Sequence, residues 1–104
     1  MSITTASLTT SVGNAYVSSG NTAVTFMSFC NYSGTTITIN VYVVPSGGTA
    51  QTTNIVYSGL ELTANDTYQI YLGGEKLILS NGDSIQASSS VSPGITVITS
   101  YTSI

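Results

Sequence analysis

Hydrophobic and polar residues alternate along most of this chain, and clusters of glycine, asparagine and proline interrupt the alternation about every ten residues. The clearest example sets Ile37, Ile39, Val41 and Val43 on one face of an extended segment whose other face is polar. Such a period of two is typical of a half-buried β-strand. Residues that favour helices are scarce relative to serine, threonine, valine, isoleucine and tyrosine, so we predict almost no helix.

The pattern predicts an all-β fold, an antiparallel β-sandwich of the immunoglobulin-like or jelly-roll type with seven or eight strands. We assign residues 1–14 to an extended N-terminal arm or edge strand and residues 15–104 to a single sandwich domain. Within the strand predicted at 22–32, Val24, Phe26 and Cys30 share one face, and Ala23, Met27 and Phe29 share the other. Gly73-Gly74 is expected to form a hairpin turn leading to residues 76–79.

Charged side chains are rare, which changes the functional picture. The chain has one lysine, four carboxylates, no histidine and a net charge of -3, against 34 serines and threonines. General acid–base and phosphate chemistry lack their usual residues, so we expect no enzyme activity and no cofactor. Binding to nucleic acid or to an anionic membrane needs several basic side chains, so we expect neither partner.

The individual reactive residues favour structural roles. Glu61, Asp66, Glu75 and Asp83 are expected to be solvated charges dispersed over turns, with no metal site among them. Asp83 follows Asn81-Gly82, and we predict that its side chain bonds nearby backbone amides in a turn. Lys76 is expected to be exposed, which disfavours an amide cross-link of the kind known in immunoglobulin-like sandwiches. Cys30 is the single cysteine and is predicted to be a small buried residue.

The edges of the predicted sheets indicate self-association. Soluble monomers protect sheet edges with lysine, proline or inward-pointing charges, whereas the first 60 residues here carry no charged side chain. We therefore expect a homo-oligomer in which neighbouring subunits cover the edges. Ile3 and Leu8 in the arm are the leading interface candidates, and Tyr42 and Tyr71 join them because tyrosine is enriched at interfaces.

Targeting signals are not evident in the sequence. MSITTASLTT has neither a basic segment nor an apolar stretch of signal-peptide length. No stretch approaches the 18 or more apolar residues of a membrane helix. We expect synthesis in the cytoplasm.

Three segments carry a resemblance to a known group of proteins. Phe29-Cys30-Asn31, then TITINVYVVPSGG, then GGEKLILSNGDSIQASSS and a terminal β-strand resemble small sandwich proteins in the virions of tailed bacteriophages, over roughly residues 22 to 102. The resemblance implies a virion protein that decorates or cements the capsid, or an accessory protein of the neck, tail or baseplate. It also implies trimers or larger rings, other virion proteins as partners, and no catalytic residues.

A carbohydrate-binding module is the alternative from another functional class. Such a module would use exposed tyrosines together with asparagine and aspartate side chains in loops. The seven tyrosines are spread over several predicted strands, which favours sheet packing and protein interfaces over one stacking platform.

Overall fold

The computed structural model of the chain describes residues 2–71 and 77–104, and these residues form nine strands and no helix. The strands are β1 (Ser2–Ser7), β2 (Gly13–Val17), β3 (Thr22–Asn31), β4 (Ile37–Val44), β5 (Ile55–Leu62), β6 (Thr67–Tyr71), β7 (Leu77–Leu79), β8 (Ser84–Ser89) and β9 (Ile95–Ser103).

The strands form two antiparallel sheets. The first has the order β1–β9–β3–β6, with β7 also pairing with β3, and the second has the order β2–β8–β4–β5. Successive strands β1 and β2 belong to different sheets, and the first and last strands are neighbours. With β6 and β7 counted as one position beside β3, this is the order of a jelly roll and not of an immunoglobulin sandwich, whose first two strands are adjacent.

The predicted all-β antiparallel sandwich is confirmed, but the predicted number of seven or eight strands is wrong. Nine strands result because the N-terminal arm pairs with β9 as a full strand. The predicted hairpin between β6 and β7 is also wrong. Both strands are antiparallel to β3, β6 opposite Phe26–Cys30 and β7 opposite Thr22–Val24, so they run in the same direction. Gly73 and Gly74 themselves lie outside the described residues.

The core lies between the two sheets, and the alternation of β4 supplies much of it. Ile37, Ile39 and Val41 are almost fully buried, and Val43 packs against them from a partly buried position. The predicted core face of this strand is therefore confirmed.

The predicted faces of β3 are wrong in one respect. The register between β3 and β9 shifts between Val24 and Phe26, so Thr25 is an extra residue, a β-bulge. A bulge moves the following side chains to the opposite face. Val24 consequently joins Met27 and Phe29 in the core, whereas Phe26 and Cys30 lie on the other face and are partly exposed.

The N-terminal arm is part of the sandwich. Residues Ser2–Ser7 pair with β9 of the same chain without a register shift. Leu8 follows at the crossing to the second sheet, where it is only 4% exposed and belongs to the hydrophobic core. The segment 1–14 thus contains an edge strand, a core residue and the start of β2.

The turn before β8 forms as predicted. Gly82 has a φ of 87°, the left-handed region that the Asn81-Gly82 pair favours. The carboxylate of Asp83 accepts hydrogen bonds from the backbone N–H of Ser46 and of Ser80, both at 2.9 Å. This carboxylate joins the turn after β4 to the turn before β8.

Candidate interaction surface

The first sheet has an outward side that faces away from the core, which we call the outer face. The registers of β1, β3, β7 and β9 place its side chains opposite one another. They include Ile3, Thr5, Ala23, Phe26, Ser28, Cys30, Ile78, Thr96, Ile98 and Ser100.

The outer face is apolar and hydroxyl-bearing. Ile3 is 68% exposed, Ile78 56% and Ile98 36%, and Phe26 beside them is partly exposed. None of the described strands of this sheet contains an acidic or basic residue. In the second sheet, by contrast, strand β5 carries the exposed Glu61. Exposed apolar side chains on β1, β7 and β9, and the absence of charge from these strands, favour a protein interaction surface.

The structure separates the four predicted interface residues. Ile3 lies on the outer face, whereas Leu8 is buried in the core of its own chain and has no surface to offer a partner. Tyr42 is partly buried on the outward side of the second sheet, in register with Gln86 and Ile55. The backbone of Tyr71 pairs with Phe26 at the edge opposite β1, and its side chain lies outside the described residues. Ile98 and Ile78 were missed because their exposure depends on which strands neighbour them.

A cleft of about 490 Å³ opens between β1, β2 and the end of β9. Its wall includes Ser2, Thr4, Asn14, Tyr16, Thr22 and Tyr101. The rings of Tyr16 and Tyr101 are tilted against each other with their centroids 4.7 Å apart. The hydroxyl of Tyr16 donates to Thr22 Oγ1 at 3.1 Å, and Ser18 Oγ bonds the same atom at 2.8 Å.

The cleft is lined by hydroxyls, amides and aromatic rings, and none of its lining residues is charged. The contact between Tyr16 and Tyr101 was not predicted from the sequence. Both occupy inward positions of their strands, and only the pairing of β2 with β8 and of β1 with β9 brings them together.

On the opposite side of the sandwich, two tyrosines meet between the sheets. The rings of Tyr57 on β5 and Tyr68 on β6 are perpendicular, with centroids 5.6 Å apart. Burial raises the pKa of Tyr57 above its usual value, and the hydrogen-bond and electrostatic interactions with Tyr68 raise it further.

The other candidate reactive groups are dispersed. Glu61 is exposed on strand β5, not in a turn, and Asp66 is exposed in the β5–β6 turn, as expected for a solvated charge. Cys30 is a free thiol that is partly exposed, so the prediction of a buried residue is wrong. Glu75 and Lys76 lie outside the described residues. Within the described ranges, no three histidine, cysteine or acidic side chains are grouped so as to hold a metal ion.

The described part of the chain contains no helix that is long and apolar enough to span a bilayer. In comparisons with known proteins, no family model matches the chain, and searches of curated proteins and of solved structures give no match.

Proposed function

We propose that this chain is a non-enzymatic structural protein of a tailed-phage virion, made in the host cytoplasm, that decorates or cements the capsid by binding neighbouring subunits. The observation that carries the proposal is the outer face, with Ile3, Ile78 and Ile98 exposed on a sheet whose described strands contain no charged residue. The resemblance of residues 22–102 to such proteins supports it. Jelly rolls occur in viral capsid proteins, which is an analogy at the level of the fold alone.

A cement protein bridges adjacent subunits of a shell through many weak contacts. Each apolar contact contributes in proportion to the area removed from water, about 25 cal/mol per Å². Repetition on a symmetric shell multiplies the effect of such contacts, because the second contact of a bound copy is intramolecular. A hydroxyl-rich surface with few charges suits this role, since long-range charge repulsion between adjacent copies is small.

The same surface also suits an accessory protein of the neck, tail or baseplate, which is the closest alternative location. Its partners in both cases are other virion proteins, namely major capsid or tail subunits, and further copies of itself. The resemblance favours a trimer as the oligomeric state.

The experiment measures binding of the purified chain to particles of the encoding phage that have been depleted of it. Deletion of the arm is unsuitable, because β1 is a strand of the sheet and Leu8 a core residue. The variant Ile3→Lys with Ile98→Lys places two charges on the outer face and should abolish binding. Val17→Lys, on a residue of the second sheet that is 48% exposed, is the matched control and should bind like the wild type. Equal binding of both variants would reject the outer face as the attachment surface.

The cleft beside β1 favours a second candidate function, the binding of a neutral saccharide. Its volume of about 490 Å³ is within the usual range of small-molecule sites, and hydroxyls beside tyrosine rings match the chemistry of sugars. On a glycan array, Tyr101→Ala should remove binding while Tyr32→Ala, on an exposed loop residue, keeps it. An array without any bound glycan would reject this candidate and leave the virion role unaffected.

A further inference from the structure

Strand β1 presents unpaired backbone groups along its outer side. Its register with β9 is continuous over six residues, and the N–H of Leu8 next to it donates to Ile95 O at 3.0 Å. In an antiparallel pair, residues bonded to the neighbour alternate with residues whose N–H and C=O point away. Ser2, Thr4 and Ala6 therefore bond β9, whereas Ile3, Thr5 and Ser7 direct their backbone groups outward. We call this side of β1 the free edge.

The other three edges of the sandwich carry features that hinder pairing. Strand β5 has two register shifts, a glycine (Gly59) with a φ of 64° and the charged Glu61. Strand β2 has five residues and a register shift between Asn14 and Tyr16. The edge formed by β6 and β7 is not one continuous strand, because Tyr71 lies opposite Phe26 and Leu77 lies opposite Val24, only two residues away on β3.

The free edge has none of these features within its described residues. Its sequence SITTAS contains no charge and no proline, and its pairing with β9 shows no bulge. The outward groups at Ile3, Thr5 and Ser7 are spaced symmetrically about Thr5. An antiparallel copy of the same strand thus presents its donors and acceptors at matching positions.

We propose that β1 pairs antiparallel with β1 of a second copy across a twofold axis, with Thr5 opposite Thr5 and Ile3 opposite Ser7. Each of these pairs exchanges two backbone hydrogen bonds. The two first sheets become one continuous sheet, and the outer faces of both copies join into one surface. Threonine directly opposite threonine is a favourable cross-strand pair, and no like charges meet.

The proposed function includes contacts between copies of this chain, and the β1–β1 pairing specifies one of them. The inference rests on the proposed function to that extent. A twofold contact closes with two copies, so it predicts a dimer where the resemblance implies a trimer. One strand pair buries little area, so we expect a dimer that dissociates on dilution. The experiment uses the purified chain without particles, so its failure leaves attachment to a virion open.

The decisive variant is Thr5→Cys in a Cys30→Ser background, which removes the native thiol. Opposed residues of a hydrogen-bonded pair have Cβ atoms about 5.5 Å apart, wider than the separation of about 3.5–4.5 Å in a relaxed disulfide, so a short bifunctional thiol reagent serves as the linker. Treatment with this reagent should give a covalently linked dimer as the main product.

Ile3→Cys in the same background is the register control. Its two cysteines would be four residues out of register, about 13 Å apart along the strands, and should not link. A mixture of Ile3→Cys and Ser7→Cys chains should link, because these positions oppose each other in the proposed register. Equal cross-linking of Thr5→Cys and Ile3→Cys would overturn the pairing.

Light scattering tests the contact without a cross-link. Wild type and Thr5→Val should show the same concentration-dependent dimer, because both keep the backbone and an uncharged side chain. Thr5→Lys places two ammonium groups opposite each other and should be monomeric, whereas Ser58→Lys on β5 should still dimerise. A wild-type chain that stays monomeric at high concentration, or a trimer that Thr5→Lys leaves intact, would reject the proposal.

Discussion

Two regions of the sandwich bury polar side chains with opposite results. At one end, Asn31 is fully buried, and its Nδ2 donates to the carbonyl oxygens of Thr35, Leu62 and Thr63 at 2.8–3.2 Å. Its Oδ1 accepts from the N–H and the hydroxyl of Ser33. Along β1, Thr4 and Thr99 lie opposite each other, and both Oγ1 atoms are buried with no hydrogen-bond partner.

The contrast shows that the buried amide of Asn31 and the buried hydroxyls of Thr4 and Thr99 differ in their effect on stability. A buried polar group stabilises the fold when all its hydrogen bonds are made, and it costs free energy when they are not. Asn31 fixes the loops 32–36 and 63–66 to the end of β3. Among the described strands, β1 pairs only with β9, and its inner side, made by Ser2, Thr4 and Ala6, contributes little apolar area. The unpaired hydroxyls of Thr4 and Thr99 lie between these two strands and the core. We expect β1 to be the less firmly held region, and the following variants test this comparison.

The largest effect is expected for Asn31→Ala. The substitution removes the side-chain partner of Leu62 O and of the Ser33 N–H, while Thr63 O keeps the hydrogen bond from the N–H of Asp66, so the expected cost is roughly 2–5 kcal/mol. Urea unfolding monitored by circular dichroism measures this loss. The matched control is Asn40→Ala, whose partly exposed side chain accepts one hydrogen bond, from the N–H of Gly59. If both variants lost the same stability, the hydrogen bonds of Asn31 would not be the main interaction that holds the loops 32–36 and 63–66 to β3.

A smaller loss is expected for Asp83→Ala, at the end where the cleft lies. The carboxylate bonds the N–H of Ser46 and of Ser80, and its removal should cost about 1–3 kcal/mol. Asp66→Ala is the control, since its carboxylate bonds Thr63 and Thr67 within one turn. A larger loss of stability for Asp83→Ala than for Asp66→Ala in thermal unfolding would show that the turns at this end are firmly held and that only β1 is weakly attached. Equal losses would mean that joining two turns adds nothing.

These residues also show how far the sequence predicts the structure. The alternation of β4 and the turn at Asn81-Gly82-Asp83 were predictable, because both depend on neighbouring residues in the chain. The bulge at Thr25 was not, since an extra residue is defined by the partner strand, and it inverts the faces of β3. The direction of β7 likewise depends on its pairing with β3.

The candidate surface was predictable only in part. Exposed Ile3 follows from its outward position in β1, and Leu8 has the inward parity of Thr4 and Ala6, but only the pairing of this segment with β9 shows that its inward side meets the core. The cleft and the outer face are made by strands distant in sequence. No local pattern contains that information.

A neutral or slightly stabilising effect is expected for Thr99→Val. Valine has nearly the same shape and removes an unpaired buried hydroxyl, so the free energy of unfolding should stay unchanged or rise by up to about 1 kcal/mol. Thr22→Val is the matched control on β3. Its hydroxyl bonds both Tyr16 and Ser18, so its loss should destabilise by about 1 kcal/mol. Chemical unfolding of the two variants gives the signs, and destabilisation by Thr99→Val would show that its hydroxyl has a partner in solution.

The smallest effect concerns the side opposite β1, where Tyr57 meets Tyr68. Burial and the neighbouring phenol raise the pKa of Tyr57 in the folded state above its unfolded value of about 10. The folded state then holds this proton more tightly than the unfolded state, so the associated stability is fully present below about pH 10. This stability is lost as the pH rises through the folded pKa.

Tyr57→Phe should therefore show a shallower loss of stability than the wild type above about pH 10 in alkaline unfolding curves. The same two proteins compared at neutral pH provide the control, because the difference there reports the hydroxyl without its ionisation. Parallel alkaline curves would mean that the phenol of Tyr57 ionises as readily in the folded chain as in the unfolded chain. The side of the sandwich at Tyr57 and Tyr68 would then be no more tightly packed than the side at β1.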